Sequence, residues 1–294
     1  MRIFDCRIPI LHALAALLAA IAVAGAHDNA AMAAGSEDTN LEQSLCGPIR
    51  EPFAFWTFRR VAGRPDATRV RGIRGLQPIA FQTRDHRALR GYRLRAERPW
   101  GYLLVAQGNA MLADQVIGEF APFRELGLDV YLYDYRGYGL SEGKSRLKAI
   151  VADYRALVAH LNAQGYERRL LYGLSMGGVM LLNAAGASAD YDAAVIDSSP
   201  SRIAPFGCPP AYDPVNHLPA DGARVMIVLG GRDTVVPAAD VEELAAAAQG
   251  RGATVLRDAE FAHPFMDASY DTHRRRFRAI ADFLSGFRPQ AQRR

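Results

Sequence analysis

The chain has 294 residues, half of them hydrophobic, which is enough to bury a full core in one domain of the α/β kind. Its 35 basic and 31 acidic residues leave a formal charge of +4, too balanced to imply a nucleic-acid partner. Nothing repeats at a fixed period, which argues against a solenoid or propeller.

The N-terminus reads as a targeting segment. Arg2 and Arg7 precede an apolar run from Ile8 to Val23, closed by Ala24-Gly25-Ala26. A basic start, an apolar middle and a small-residue end describe a signal peptide over residues 1–26, with a periplasmic or secreted mature chain. The alternative is an uncleaved N-terminal membrane anchor, and membrane contact is expected only through this segment. Residues 27–50 read as a linker and residues 51–290 as the folded domain. Once Cys6 is removed, Cys46 and Cys208 remain. They form either one disulfide, as an oxidising compartment permits, or two free thiols.

In the domain, Phe53 to Val61 and Pro78 to Leu94 alternate apolar and polar residues, which predicts antiparallel edge strands. The arginine-rich stretch between them, 59–74, reads as a solvated connection. Gly101 to Ala106 is a continuous apolar run, as expected for a strand buried on both faces. A helical pattern follows to about Glu125, then a strand at Asp129–Tyr133 and a Gly-rich loop, Asp134 to Gly143. In that loop, Asp134 and Arg136 are expected to pair locally. Further on come a helix to about Gln164, a strand at Arg169–Tyr172 and a helix from Ser175 to about Ala185. Strands at Ala194–Asp197, Val225–Leu229 and Thr254–Arg257 alternate with helices at Ala238–Ala248 and Thr272–Phe287. This alternation predicts a mostly parallel sheet with helices on both faces. Residues 201–222 are broken by Pro205, Pro209, Pro210, Pro214 and Pro219, which leaves a minimal cap and an open cleft near Ala110, Met111, Phe206 and Phe265.

Gly173-Leu174-Ser175-Met176-Gly177 sits between a strand and a helix. A serine on so tight a corner needs small residues two places before and after it, and Gly173 and Gly177 meet that need. With Tyr133-Asp134-Tyr135-Arg136-Gly137-Tyr138-Gly139-x-Ser141-x-Gly143 and Gly231-Arg232-Asp233-x-x-Val236-Pro237, the chain resembles the α/β-hydrolase superfamily over roughly residues 78–287. It is most similar to small, cap-poor serine hydrolases of the serine aminopeptidase-like and depalmitoylating-thioesterase-like kinds. Two places depart from the common pattern: Gln107 where relatives often carry His, and Ala262 where Gly often precedes the histidine.

The resemblance implies the α/β-hydrolase fold and a Ser-His-Asp triad on loops at the carboxyl ends of strands. Ser175 would be the nucleophile, His263 the base and Asp233 the orienting acid; Asp197, at the end of the preceding strand, is the alternative acid. The backbone N–H groups of Met176 and Asn109 match the oxyanion hole. His86, His160, His217 and His273 read as surface residues, and Arg274-Arg275-Arg276 as a solvated helix face. No cofactor is implied, and Cys and His spacing gives no metal site. The expected substrate is a small-molecule ester, thioester or amide. A peptidase is one rival reading, and a non-catalytic binding protein on the same fold is another.

Overall fold

The computed structural model describes residues 41–188 and 190–289. The signal peptide expected over 1–26 and residues 27–40 of the expected linker therefore lie outside the described residues. Eight strands form one sheet: β1 (Leu76–Gln82), β2 (Ala88–Leu94), β3 (Gly101–Ala106), β4 (Leu128–Tyr133), β5 (Arg168–Leu174), β6 (Ala193–Asp197), β7 (Val225–Gly230) and β8 (Thr254–Asp258). Their order is β1-β2-β4-β3-β5-β6-β7-β8. Pairing is antiparallel at β1/β2 and β2/β4 and parallel everywhere else. β3, β4, β6 and β7 are buried along their whole length, as their mostly apolar runs favour, with Asp129 of β4 and Asp197 of β6 buried among them.

Helices cover both faces because successive strand residues point in opposite directions. Tyr102, Leu104, Tyr133 and Leu171 join one buried cluster with Ile150, Tyr154 and Leu157 of α4 (Leu147–Asn162). Leu103, Val105, Leu132 and Tyr172 join the other, with Phe277, Ile280 and Leu284 of α7 (Tyr270–Ser285). The short helices α2 (Ala113–Val116) and α3 (Ala121–Glu125) follow β3, α5 (Met176–Leu181) follows β5, and α6 (Ala238–Gln249) follows β7. Among the described residues, no helix is long and apolar enough to cross a membrane.

One expectation is overturned. The stretch predicted as a strand over 53–61 is a helix, α1 (Arg50–Ala62). Its buried residues Glu51, Phe55 and Ala62 recur at helical spacing, so the aromatic alternation at 53, 55, 56 and 58 was misleading. Residues 41–50 also pack on the domain. The buried Glu51 carboxylate accepts the N–H groups of Leu45, Cys46 (2.8 Å) and Leu147 (2.7 Å). Cys46 and Cys208 are joined by a disulfide. That bond ties the entry to α1 to the segment between β6 and β7, which contains only short 3-10 turns at Ala204–Phe206, Pro210–Tyr212, Pro214–His217 and Gly222–Arg224.

Candidate active site

The nucleophile corner is built by close packing of backbone. Ser175 has φ +52° and ψ −120°, a conformation that non-glycine residues seldom adopt. Its N–H donates to the Asp197 carbonyl at 2.8 Å, which fastens the corner to the end of β6. A Cβ on Gly177 would lie 1.9 Å from the Ala106 carbonyl oxygen, and one on Gly173 would lie 2.6 Å from the Gly178 Cα. Neither contact can be relieved by turning a side chain, so glycine is required at both places.

His263 and Asp233 reach the same edge of the sheet from loops after β8 and β7. His263 Nδ1 lies 2.8 Å from Asp233 Oδ2, and both side chains are buried. The other carboxylate oxygen, Asp233 Oδ1, accepts the N–H groups of Val235 (2.9 Å) and Val236 (2.8 Å). Burial raises the pKa of Asp233, but the hydrogen bond and charge of His263, with these two N–H groups, outweigh it and hold the carboxyl below its usual range. Asp197 is engaged elsewhere. Its Oδ1 lies 2.7 Å from Arg276 Nη1, and its Oδ2 accepts the Tyr172 hydroxyl at 3.0 Å. Asp233, not Asp197, is thus the carboxylate on the imidazole. Among the described residues, Ser175 makes no hydrogen bond to His263; in unliganded sites such contacts are often long and tighten only with substrate.

The loop after β3 flanks the serine. A Cβ on Gly108 would lie 3.6 Å from the Ser175 Cβ. The Gly-rich loop after β4 holds this segment through two tyrosines: Tyr135 donates its hydroxyl to the Gln107 carbonyl, and Tyr138 donates to Asn109 Oδ1. Gln107 is fully buried and donates through Nε2 to the Met111 carbonyl (3.1 Å) and, at 3.4 Å, to Asp134 Oδ1. The backbone N–H of Ala113 also reaches Asp134 Oδ1, at 2.7 Å. Burial pushes the Asp134 pKa up to about 6, with these donors opposing it.

Three expectations about charged residues change. Asp134 and Arg136 do not pair with one another. Arg136 is fully buried and bonds Asp153 and Asp85, clamping the Gly-rich loop to α4 and to the β1–β2 hairpin. Arg276 is also fully buried, donating to Asp197, Asp267 and the Ala262 carbonyl, so it braces the loop that carries His263. His273, expected at the surface, packs 4.5 Å from the ring of Phe277. Sequence reasoning missed Tyr135, Tyr138 and Arg276 as supports. The tyrosine pair at i, i+3 beside glycines was the readable signal; the partners of Arg276 lie too far away in the chain to be seen.

A concavity of about 600 Å³ is lined by Tyr92, Asp114 and by Asp134 and Leu140 of the Gly-rich loop. It includes none of Ala110, Met111, Phe206 and Phe265, where the cleft was expected. Among the described residues, no group of three His, Cys, Asp or Glu side chains is placed to hold a metal ion.

The strand order, the strained serine corner and the His–Asp pair on neighbouring loops define an α/β-hydrolase fold. Residues 98–218 match the family model of serine aminopeptidase, S33. The uncharacterized membrane protein YNL320W of Saccharomyces cerevisiae is 30% identical over 123 residues, covering 40% of this chain and 42% of that protein. The chain spans about half the length of the curated relatives it matches first, 42% and 57%. Among solved structures, an esterase of Pyrococcus furiosus, Pf2001, superposes with a TM-score of 0.59 at 18% identity, over 73% of this chain and 93% of its own. XC6422 from Xanthomonas campestris, described as an a/b serine hydrolase without lid, gives 0.57 at 19% identity, over 74% and 96%. The chain has the α/β-hydrolase fold, and its residues 98–218 are similar to the serine aminopeptidase family.

Proposed function

We propose that the protein is an exported serine hydrolase that cleaves a carboxylic ester or thioester through an acyl-enzyme. The observation that carries this reading is the 2.8 Å bond from His263 to Asp233 on the sheet edge where Ser175 occupies its strained corner. Ser175 Oγ attacks the carbonyl carbon while His263 Nε2 takes its proton, and Asp233 fixes the tautomer and offsets the imidazolium charge. The N–H groups of Met176 and Asn109 receive the oxyanion. Among the described residues, neither donates to another group, so both are available. Loss of one such donor typically costs about 3 kcal/mol of barrier. The leaving group departs with the proton from His263. Water, activated by His263, then attacks the acyl carbon, releasing the acid and restoring Ser175.

Export is supported by the apolar N-terminal run and by the Cys46–Cys208 disulfide, which suits an oxidising compartment. No cofactor enters this chemistry. A second reading, cleavage of a peptide or other amide, is favoured by the match to the serine aminopeptidase model.

A fluorophosphonate probe tests the reading. Labelling should map to the peptide containing Ser175 and vanish in Ser175→Ala, whose thermal midpoint should stay near that of the parent. Labelling that persists in Ser175→Ala would refute the assignment. Relative kcat/KM on p-nitrophenyl esters and aminoacyl amides separates the two substrate classes.

A further inference from the structure

Helix α1 carries two stripes. Phe55 and Ala62 face inward, while Phe53 and Trp56 remain about half exposed and Ile49, at the N-cap, is 80% exposed. At 3.6 residues per turn, Ile49, Phe53, Trp56 and Arg60 fall within about 60° of one another around the axis. Phe53 and Trp56 stack at 5.8 Å, and the Arg60 guanidinium lies 5.2 Å from the Trp56 ring centre. Water gains nothing from such a stripe, and large apolar side chains gathered on one exposed helix face usually mark a contact surface.

The charge beside the stripe identifies the partner. From Arg59 to Arg74 there are six arginines and a single acidic residue, Asp66. Arg59, Arg60, Arg64, Arg71 and Arg74 form no ion pair among the described residues. An apolar stripe with Trp and Phe, flanked by exposed arginines, is the composition of a helix lying in an anionic lipid interface. A second copy of the chain would bring the same positive region against this one, which disfavours self-association through this face.

The helix is also fixed before any contact is made. Its N-terminal end is held by Glu51, by the Cys46–Cys208 disulfide and by Arg50 Nη1, which donates to the Phe206 carbonyl at 3.2 Å. Its C-terminal end is held by Gln115 Nε2, which donates to the Ala62 carbonyl at 2.9 Å. A rigid stripe loses little further conformational entropy on binding. We infer that the exposed face of α1 docks on an anionic membrane surface, with Ile49, Phe53 and Trp56 entering the interface and Arg59, Arg60 and Arg64 meeting headgroup phosphates. Docked in this way, α1 brings both the segment after the oxyanion loop and the minimal cap beside the lipid. The inference holds whether or not Ser175 proves to be the nucleophile.

The chain has two tryptophans, and Trp100 is buried, so quencher-accessible emission reports Trp56. The full chain is titrated with phosphatidylcholine vesicles and with vesicles containing an equal share of phosphatidylglycerol. The emission of Trp56 should shift to the blue and lose iodide quenching with the anionic vesicles, and much less with the neutral ones. Trp56→Phe should lose this signal yet still float with the anionic vesicles. The double substitution Ile49→Ser, Phe53→Ser should weaken binding by about a hundredfold, since both large apolar side chains are lost from the interface. Arg59→Gln with Arg60→Gln should weaken it about tenfold on anionic vesicles only. An unchanged Trp56 spectrum with anionic vesicles would overturn the inference. So would a Trp56 already shielded from iodide before lipid is added, because residues 1–40 or a second copy would then cover the face.

Discussion

Two arginine-rich stretches read alike in the sequence and do opposite things in the fold. Arg274-Arg275-Arg276 lies on α7, where each guanidinium finds an acidic partner, and Arg276 is drawn fully inside against Asp197 and Asp267. Arg59, Arg60 and Arg64 lie at the end of α1 and just beyond it, exposed and, among the described residues, without a carboxylate. Composition says only that both are basic. What separates them is whether the chain delivers an acidic side chain to the same place. At α7 it delivers one that is 79 residues away. A charge buried with its partner shapes the site; a charge left in water is free to meet something else.

The sharpest way to break this comparison is to neutralise the two carboxylates near His263 in turn. Asp233→Asn removes the acceptor on His263 Nδ1 and favours the wrong tautomer, which can cost about 10⁴ in rate. Its denaturation midpoint should move little. Asp197→Asn leaves the imidazole contact intact but removes one of the two carboxylates that offset the buried Arg276 charge, so its main effect should be on stability. Urea unfolding and kcat measured on both variants decide the matter. If Asp197→Asn is the worse catalyst while folded, the roles are reversed.

Next in size is Arg276 itself. Arg276→Met removes the cation that offsets Asp197 and Asp267, and a buried pair broken on one side typically costs about 3–5 kcal/mol. It also frees the Ala262 carbonyl next to His263, so the folded fraction should show a lowered kcat. Arg275→Met, one residue away but half exposed, should cost less than about 1 kcal/mol. Equal losses for the two would mean that burial does not divide the arginines as described.

Much of this arrangement was legible in advance. The strands stand out because continuous apolar runs of five or six residues have no other stable place, and the glycines around Ser175 announce the corner before any fold is assumed. Asp233 and His263 follow from their positions after the last two strands. Helix α1 was not legible, because Phe53, Phe55, Trp56 and Phe58 combine a buried and an exposed stripe into something that alternates like a strand. The inward turn of Arg276 was hidden for a different reason. Three consecutive residues on a helix point in three directions, and only the tertiary neighbours decide which one is covered. The Arg136 clamp, with partners 51 and 17 residues distant, was hidden in the same way.

Asp134 sharpens the comparison from the acidic side, since it is buried without a cation. Its folded-state pKa of about 6 lies above the ordinary carboxyl value, so the folded protein takes up the extra proton. Stability from this group therefore rises as the pH falls from above 6 towards 4, and at pH 8 the charged form costs up to about 3 kcal/mol. Asp134→Asn keeps an oxygen for the Ala113 N–H while removing the charge. It should raise the unfolding free energy at pH 8, with the advantage fading below pH 5. A variant destabilised at pH 8 and not below pH 5 would show that the carboxylate is needed in its charged form.

The smallest effect is expected at the exposed arginines, and its smallness is what the comparison requires. Arg59 and Arg60 occupy the last turn of α1, where a cation near the helix C-terminus contributes about 0.3–1 kcal/mol at low salt. Arg60 adds an exposed cation–π contact with Trp56, worth about 0.5–1 kcal/mol. Among the described residues neither has a buried partner to strand, so no desolvated charge appears when the guanidinium is removed. The double substitution Arg59→Gln, Arg60→Gln should therefore lower the unfolding free energy by no more than about 1–2 kcal/mol, and by less in high salt, where exposed charge is screened. Urea titrations at low and high ionic strength measure both quantities. A loss as large as that of Arg276→Met, insensitive to salt, would place an acidic partner against this stretch. The division between arginines that hold the fold and arginines that face outward would then be lost.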